Sequence, residues 1–222
     1  MKTLVIVGAG PGLGLSIAKL FGRNGFQVAL IARSKAKLDQ LAAELAPLGI
    51  EAAGFAADLM DRPALVDAFA QIKERYGAVD VLEYSPAPHT PVPGLTIAGS
   101  LSVTVEKVQP QIDFYLHGAI TVVEQVLPAM LERGSGALLF TTGGSAVYPN
   151  PIMGNVGIAM AGLRNWAHTL HAALADKGIY AGHISINTWI GSAPGSDADS
   201  IAQLYWDMEQ KRDRIEAVFA GT

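Results

Sequence analysis

The chain has 222 residues, of which 50% are apolar and 16% charged, with a formal net charge of −4 at pH 7. This length and apolar content suit a single domain with one substantial core. Because the sequence has no basic block or stripe to hold a nucleic-acid backbone, we expect no nucleic-acid partner. The absence of cysteine excludes disulfides and thiolate metal sites.

Membrane and targeting signals are also not expected. Lys2 is followed by an apolar run too short for a signal peptide, and no run of about 18 apolar residues occurs. These patterns predict a soluble, cytoplasmic protein that has no membrane partner.

Short apolar, β-rich runs alternate with segments of helical periodicity. Strands are predicted at residues 3–7, 27–32, 51–57, 79–83, 137–142 and 183–188, with 216–219 as a further candidate at the edge. Early helices are predicted after Gly14 as far as Asn24-Gly25, after Ser34 as far as Gly49, and after Asp61 as far as Gly77.

The later part of the chain is less regular. Residues 84–102 and 191–200 predict loops, whereas 104–132, 152–177 and 201–214 predict helices, the first with a bend at Pro110. Apolar strands separated by helices indicate a parallel sheet covered on both faces. The predicted fold is a single α/β domain over residues 1–222, a Rossmann-type doubly wound sheet of about seven strands.

Residues 5–14, with the sequence V-I-V-G-A-G-P-G-L-G, join a strand end to a helix start through a glycine-rich turn. A side chain in such a turn would keep a pyrophosphate away from the backbone N–H groups and the positive helix end. Glycine-rich turns also occur without ligands, but the strand–turn–helix context favours a dinucleotide site.

The spacing Gly8-x-x-x-Gly12-x-Gly14 resembles that of the short-chain dehydrogenase/reductase family, and the resemblance spans nearly the whole chain. Asp58 matches the family aspartate that binds the adenine amino group, and residues 136–142 match the strand that delivers the catalytic serine. Gly118 and Pro128 match the long interface helix. The resemblance implies cofactor contacts from Gly8, Gly10, Pro11, Gly12, Leu13, Gly14, Arg33, Ser34, Asp58, Leu59, Ser85 and Ile190.

Cofactor choice depends on the end of the second strand. Family members specific for NAD have an acidic residue where this chain has Ala32, and the next residue, Arg33, can pair with a 2′-phosphate. The sequence therefore predicts NADP(H) in preference to NAD(H). The alternative is that Arg33 is a solvated residue at the start of a helix.

The family's catalytic Asn-Ser-Tyr-Lys group is largely replaced. Alignment on the family pattern puts Tyr115 at the asparagine, Thr142 at the serine, Val156 at the tyrosine and Met160 at the lysine, and no Tyr-x-x-x-Lys occurs in the chain. Valine and methionine carry no proton to transfer. A positioned acid typically contributes about 10²–10⁴ in rate, so ordinary carbonyl reduction is not expected.

Three hydroxyl groups are candidate substitutes: Thr142, Tyr115 and Tyr148. Each tyrosine has the alternative role of packing its ring and making one hydrogen bond. His168 and His171 lie one helical turn apart, but the sequence indicates no third ligand, so no metal is expected. His89 and His117 receive no role, and Trp189 and Trp206 are interpreted as lid or core aromatics.

Two main functions fit these patterns. One is an NADP(H)-dependent oxidoreductase acting on a small organic substrate, such as an imine or activated alkene, by an atypical mechanism. The other is a catalytically degenerate NADP(H)-binding sensor or accessory protein, and non-redox chemistry in the same cleft is a third. The family also implies a homodimer or homotetramer formed through helices 104–132 and 152–177. The short loop after Asn187 predicts a small or poorly enclosed substrate pocket.

Overall fold

The structure is a computed structural model that describes residues 1–88, 92–192 and 194–220. Its strands form one seven-stranded sheet in the order β3-β2-β1-β4-β5-β6-β7, in which neighbouring strands pair in parallel. The strands are β1 Lys2–Val7, β2 Phe26–Ala32, β3 Ala52–Ala56, β4 Val81–Tyr84, β5 Gly136–Gly143, β6 Ile179–Ile186 and β7 Glu216–Phe219. The helices are α1 Leu13–Arg23, α2 Lys35–Leu45, α3 Arg62–Tyr76, α4 Val105–Ile112, α5 Gly118–Arg133, α6 Gly154–Leu174 and α7 Ala198–Lys211.

Two apolar layers cover the sheet, which confirms the doubly wound fold. Side chains alternate along the strands, so Val5 and Val7 face one layer while Leu4 and Ile6 face the other. The first layer includes residues of α3, α5 and α6, and the second includes residues of α1, α2 and α7. Because β1 pairs with both β2 and β4, the strand order reverses beside β1. In such sheets, ligands bind in the crevice at the carboxyl ends of the strands at this switch point.

Several boundaries differ from the sequence-based expectations. Strand β6 begins at Ile179 instead of residue 183, because its first residues are buried and continue the pairing with Gly136 and its successors. It ends at Ile186, before the expected residue 188. Helix α7 begins at Ala198 instead of residue 201, because the side chain of Asp197 caps it by accepting a hydrogen bond from the amide of Ser200 at 2.9 Å.

The long helix is interrupted by a π-helical turn, Asp113–His117, between α4 and α5. Pro110 was expected to mark the irregularity, but it lies inside α4 and the π turn follows it. At the turn, the hydroxyl of Tyr84 donates a hydrogen bond to the carbonyl of Phe114 at 2.7 Å. Gly118 makes room for that hydroxyl, because a Cβ atom there would lie 2.4 Å from the Tyr84 oxygen. The buried tyrosine therefore accounts for both the glycine and the local geometry.

The combined helix Val105–Arg133 is, among the described residues, the one helix long and apolar enough to cross a membrane. Its most apolar 18-residue window has a mean hydropathy of 1.3, and 50% of that window is buried within the protein. Core helices pass the same test, so the finding is weak evidence for membrane insertion.

Candidate functional site

A cavity of about 560 Å³ lies at the carboxyl ends of the strands around β1. It brings together eight of the twelve residues expected to bind the cofactor: Gly8, Gly10, Pro11, Gly12, Arg33, Ser34, Asp58 and Leu59. A cleft of this volume suits a small-molecule ligand. The position at the reversal of strand order is the one that the sequence predicts for a dinucleotide.

The glycines of the turn are required for different structural reasons. Gly8 has a φ of +97°, and a Cβ there would lie 2.7 Å from the Cα of Pro86. At Gly14, a Cβ would lie 3.1 Å from the Cα of Ala9, so this glycine serves packing between helix and turn. Gly10 and Gly12, in contrast, face open space within 4 Å. These two positions leave the volume in which a phosphate can approach the amino end of α1.

A basic group stands at the junction of β2 and α2. Arg33, Ser34 and Lys37 line the cavity, and the Ser34 hydroxyl caps α2 by accepting a hydrogen bond from the Lys37 amide at 3.4 Å. Two cations and a hydroxyl at one end of a cavity form an anion-binding arrangement. Ala32 precedes this group and contributes no carboxylate.

One face of α2 extends the cavity beyond the residues expected from the sequence. Lys37, Gln40, Leu41 and Glu44 all line it. Their spacing of three to four residues places them on one helix face, which is the signal from which they could have been found. The other wall includes Pro86, Ala87, Pro88, Val92 and Phe114, so that side of the cavity is mainly apolar.

Asp58 follows β3 and is fixed by its own loop. Its carboxylate accepts a hydrogen bond from the amide of Met60 at 2.9 Å, and both Asp58 and Leu59 line the cavity. Asp58 therefore offers the cavity a carboxylate that can accept hydrogen bonds.

Four expected cofactor residues are not among the described residues that line the cavity: Leu13, Gly14, Ser85 and Ile190. Ser85 instead donates its hydroxyl hydrogen bond to the carboxyl of Glu83 at 3.0 Å. Ile190 lies in the connection between β6 and α7 and is exposed.

Glu83 is a buried carboxyl group that sequence reasoning did not single out. It accepts hydrogen bonds from Ser85 and, at 3.3 Å, from Thr141, whose hydroxyl also lies 2.6 Å from that of Tyr205. Desolvation by burial raises the pKa of Glu83 to about 8, despite the opposing effect of these hydrogen bonds. The group is therefore protonated at neutral pH.

The three candidate catalytic hydroxyls lie in different environments, and none of them is among the described residues that line the cavity. Thr142 is only 3% exposed, and its Oγ1 lies 2.9 Å from Nε2 of His183. Tyr115 is buried in the π turn, and burial raises its pKa to about 12. Tyr148, at 55% exposure, is the accessible one of the three.

Apolar side chains occupy the positions that the family resemblance assigns to tyrosine and lysine. Val156 and Met160 are buried in a small cluster with Phe114, Tyr115 and Ala159. The sulfur of Met160 accepts a hydrogen bond from the amide of Gly143 at 3.3 Å. The thioether therefore lies against the carboxyl end of β5.

Behind Thr142 lies a polar cluster that connects α6, β6 and β7. Glu216 forms an ion pair with Arg164 and hydrogen bonds with His183 at 2.9 Å and His168 at 3.1 Å. Led by the Arg164 hydrogen bond, these partners lower the pKa of Glu216 to about 2. Desolvation lowers the pKa of His183 to about 4. Both groups therefore keep their neutral-pH forms, carboxylate and neutral imidazole, well into acid.

The histidines pair differently from the sequence-based expectation. His168 shares Glu216 with His183, and ligand atoms of the three residues lie within 4.8 Å of one another. His171 instead bonds to the carbonyl of Ala181 at 2.7 Å. His89 lies outside the described residues. Sequence reasoning did not find His183 and Glu216 as partners of His168, because β6 and β7 bring them from distant parts of the chain.

A parallel sheet with a glycine turn and a ligand-sized cavity at its switch point defines a dinucleotide-binding α/β domain. A family model described as short chain dehydrogenase matches residues 2–188. The chain therefore belongs to the short-chain dehydrogenase/reductase family of oxidoreductases, as the sequence predicted.

Individual relatives agree with this assignment. A very-long-chain 3-oxoacyl-CoA reductase from Anas platyrhynchos is 30% identical over 185 residues, which are 79% of this chain and 55% of that protein. This chain thus matches little more than half the length of that relative. A metagenomic short-chain oxidoreductase in complex with NADP has a TM-score of 0.83 at 20% identity, covering 100% of this chain and 97% of that one.

A second solved structure has a similar fold. The L-sorbose reductase of Gluconobacter frateurii, complexed with NADPH and L-sorbose, has a TM-score of 0.83 at 19% identity, covering 98% of this chain and 94% of that one. At these identities, the structural likeness shows the fold alone.

Proposed function

We propose that the protein is an NADP(H)-dependent oxidoreductase that acts on a small organic substrate without a tyrosine–lysine pair. The observation that carries the proposal is the cavity in which Gly10 and Gly12 stand beside the basic group of Arg33, Ser34 and Lys37. Reductases among the relatives, and structures of similar fold holding NADP or NADPH, support a nicotinamide cofactor.

The residues present fit this cofactor. The open space at Gly10 and Gly12 would receive the pyrophosphate at the amino end of α1. Asp58 would accept a hydrogen bond from the adenine amino group, and Leu41 would pack against the ring. When bound, the reduced nicotinamide supplies hydride to the substrate.

Preference for NADP(H) follows from the charges around the 2′ position. Arg33 and Lys37 would hold a 2′-phosphate, with Ser34 as a further hydrogen-bond donor. Ala32 offers no carboxylate to hold a 2′-hydroxyl or repel a phosphate. Glu44 also lines the cavity, two turns along α2 from Lys37, and so does not stand among the phosphate-binding groups.

The substrate class follows from the weak supply of acids. Val156 and Met160 cannot donate a proton, so the chain would act on an imine or activated alkene, which needs hydride more than a strong acid. Thr142, Tyr148 and Tyr115 remain the proposed hydroxyl groups for proton transfer.

A catalytically degenerate NADP(H)-binding sensor or accessory protein is the second candidate. It is favoured by the buried cluster that contains Val156, Met160 and Tyr115, because apolar packing there leaves little room for a reacting group. In this alternative, the cofactor binds but hydride is not transferred.

The two candidates are separated by measuring binding and turnover in the same preparation. NADPH binding is followed by fluorescence, and NADPH oxidation is then followed at saturating cofactor with panels of carbonyls, imines and activated alkenes. Oxidation with any class supports the oxidoreductase. Tight binding without oxidation supports the sensor, and absence of NADPH binding contradicts both.

We also propose a homodimer or homotetramer formed through helices 104–132 and 152–177. Three exposed apolar residues in these segments would be covered by such an interface: Val105, Ile152 and Ile158. Light scattering after size exclusion measures the mass, and a monomer at micromolar concentration contradicts this proposal.

A further inference from the structure

A continuous line of hydrogen-bonding groups starts at the carboxyl end of β5. Oγ1 of Thr142 lies 2.9 Å from Nε2 of His183, and Nδ1 of that ring lies 2.9 Å from Oε2 of Glu216. The same carboxylate oxygen lies 3.1 Å from Nε2 of His168, whose side chain is 29% exposed. The line therefore runs from a buried hydroxyl to a partly exposed ring on α6.

The two nitrogens of His183 face chemically different partners. A carboxylate only accepts, so the Nδ1 that faces Glu216 carries the proton in the neutral ring. Nε2 then accepts the hydrogen bond of the Thr142 hydroxyl. This order of hydroxyl, imidazole and carboxylate is the one in which a histidine can act as a base toward a hydroxyl and be stabilised when it becomes charged.

We propose that Thr142, His183 and Glu216 form a proton-transfer chain that serves the redox reaction in place of a tyrosine–lysine pair, with His168 holding Glu216 in place. The inference rests on the proposed oxidoreductase function. In this chain, Thr142 is the group that touches the substrate, His183 carries the proton, and Glu216 and His168 are positioning residues.

The proton balance is written for imine reduction, the proposed substrate class. The reduced nicotinamide supplies hydride to the imine carbon, the π bond of the C=N group breaks toward nitrogen, and that nitrogen takes the proton of the Thr142 hydroxyl. Thr142 regains a proton from Nε2 of the charged His183 ring, which took it from solvent through Thr142 before the substrate entered, while Nδ1 of the ring keeps its proton toward Glu216. The products are an amine and NADP⁺, and one proton from solvent is consumed. Alcohol oxidation follows the reverse order, with the proton passing from the substrate hydroxyl to Thr142 and on to His183.

Charged and titratable groups around His183 determine whether its ring is neutral or charged. It faces Glu216 from β7 and Arg164 and His168 from α6, while Thr142 on β5 is uncharged. Because burial keeps the pKa of His183 at about 4, the ring is neutral at pH 7 and ready to accept a proton. Reduction requires the charged ring, so its rate should rise about tenfold for each pH unit between 7 and 5.

The cluster is better suited to proton transfer than to a metal ion. The guanidinium of Arg164 contacts both oxygens of Glu216, one of them at 2.9 Å. A cation at the three ligand atoms would have to displace part of this ion pair and would be repelled by the remaining positive charge.

Thr142 is only 3% exposed, so a substrate reaches it only if a neighbouring side chain moves, and we assign this role to Met160. This side chain is 8% exposed, and its sulfur lies against the Gly143 amide beside Thr142. Methionine has three rotatable side-chain bonds and no branching, so it can change rotamer to admit a small substrate. Met160→Ala should therefore raise kcat/KM while leaving NADPH affinity unchanged.

The test uses NADP⁺ with small secondary alcohols, and NADPH with cyclic imines and small carbonyls, from pH 5 to 9. Thr142→Val should lower turnover about 10²-fold, Thr142→Ser should restore most of it, and His183→Asn should remove the rise of reduction rate toward acid. His171→Asn is the matched control on α6, since that ring bonds to a backbone carbonyl outside the chain. NADPH affinity and circular dichroism verify that each variant is folded.

A second readout needs no substrate. Histidine ring resonances followed by NMR should show His183 neutral down to about pH 4, with its Nδ1 proton shifted in Glu216→Gln. Unchanged turnover and pH profile in Thr142→Val and His183→Asn would overturn the proton-transfer chain while leaving the oxidoreductase intact. Bound NADPH with no turnover of any compound would overturn both. A His183 ring that titrates near pH 6.5 would overturn the predicted pH dependence of reduction.

Discussion

The buried carboxyl of Glu83 makes stability depend on pH in a direction opposite to the usual one for carboxylates. In the folded chain, desolvation raises its pKa to about 8, from an ordinary value of 4.5 for an exposed glutamate. Between these values the unfolded chain releases a proton that the folded chain keeps. The free energy of unfolding therefore falls as the pH rises through this window.

The size of the effect follows from the pKa values. Each pH unit in the window lowers the free energy of unfolding by roughly 1.4 kcal/mol, which gives roughly 3 kcal/mol at pH 7 and 4–5 kcal/mol above pH 8. Glu83→Gln keeps the shape and a hydrogen-bond donor but cannot ionise. The variant should thus match the parent near pH 4.5 and exceed its stability by roughly 3 kcal/mol at pH 7.

Urea unfolding followed by circular dichroism at pH 5, 7 and 8.5 measures this difference. The control is Glu124→Gln, which removes an exposed carboxylate from α5 and its ion pair with Arg62. That variant should keep the pH slope of the parent. A difference between Glu83→Gln and the parent that stays constant across the three pH values would refute the account of Glu83 as a buried, protonated group.

Three further variants test other parts of the structure. Gly118→Ala should lower the free energy of unfolding by about 1–3 kcal/mol, because the added Cβ clashes with the Tyr84 hydroxyl. The loss should be smaller in a Tyr84→Phe background, and equal losses in both backgrounds would contradict this explanation. As the pH falls from 6.5 to about 4, the unfolded chain gains a proton on His183 that the folded chain does not accept, so the free energy of unfolding should fall by roughly 3 kcal/mol in urea titrations. His183→Asn should remove this loss. Val156→Tyr combined with Met160→Lys should raise NADPH-dependent carbonyl reduction about 10²–10⁴-fold over the parent, and a folded, NADPH-binding double variant without any gain would show that more than the pair is missing.

Sequence reasoning located the fold because its signals are local. Alternation of apolar strands with amphipathic helices determines a doubly wound sheet, and the turn of Gly8, Gly10 and Gly12 is read directly from consecutive residues. Arg33 and Ser34 follow the end of β2 by one and two positions, so their place beside the cavity could also be predicted from the sequence.

The remainder depends on the direction of side chains and on distant pairing. The sequence predicts that Ser85 contacts the cofactor and Thr142 the substrate, but in the structure their hydroxyls hydrogen-bond with Glu83 and His183. No local sequence pattern indicates these partners. The partner Glu216 comes from a strand that is separated from His183 by a whole helix. Such contacts are set by the packing of the sheet as a whole.

We expect the cavity beside Arg33 to bind NADP(H) in preference to NAD(H). Fluorescence titration of the parent with NADPH and NADH, repeated on Arg33→Ser, measures this preference, with Lys35→Ser as control because Lys35 pairs with Asp39 on the exposed face of α2. NADPH should bind the parent about 10–100-fold more tightly than NADH, Arg33→Ser should lose most of that preference, and Lys35→Ser should keep it. NADH binding as tightly as NADPH would rule out the proposed cofactor preference, and a preference unchanged in Arg33→Ser would rule out the role of Arg33.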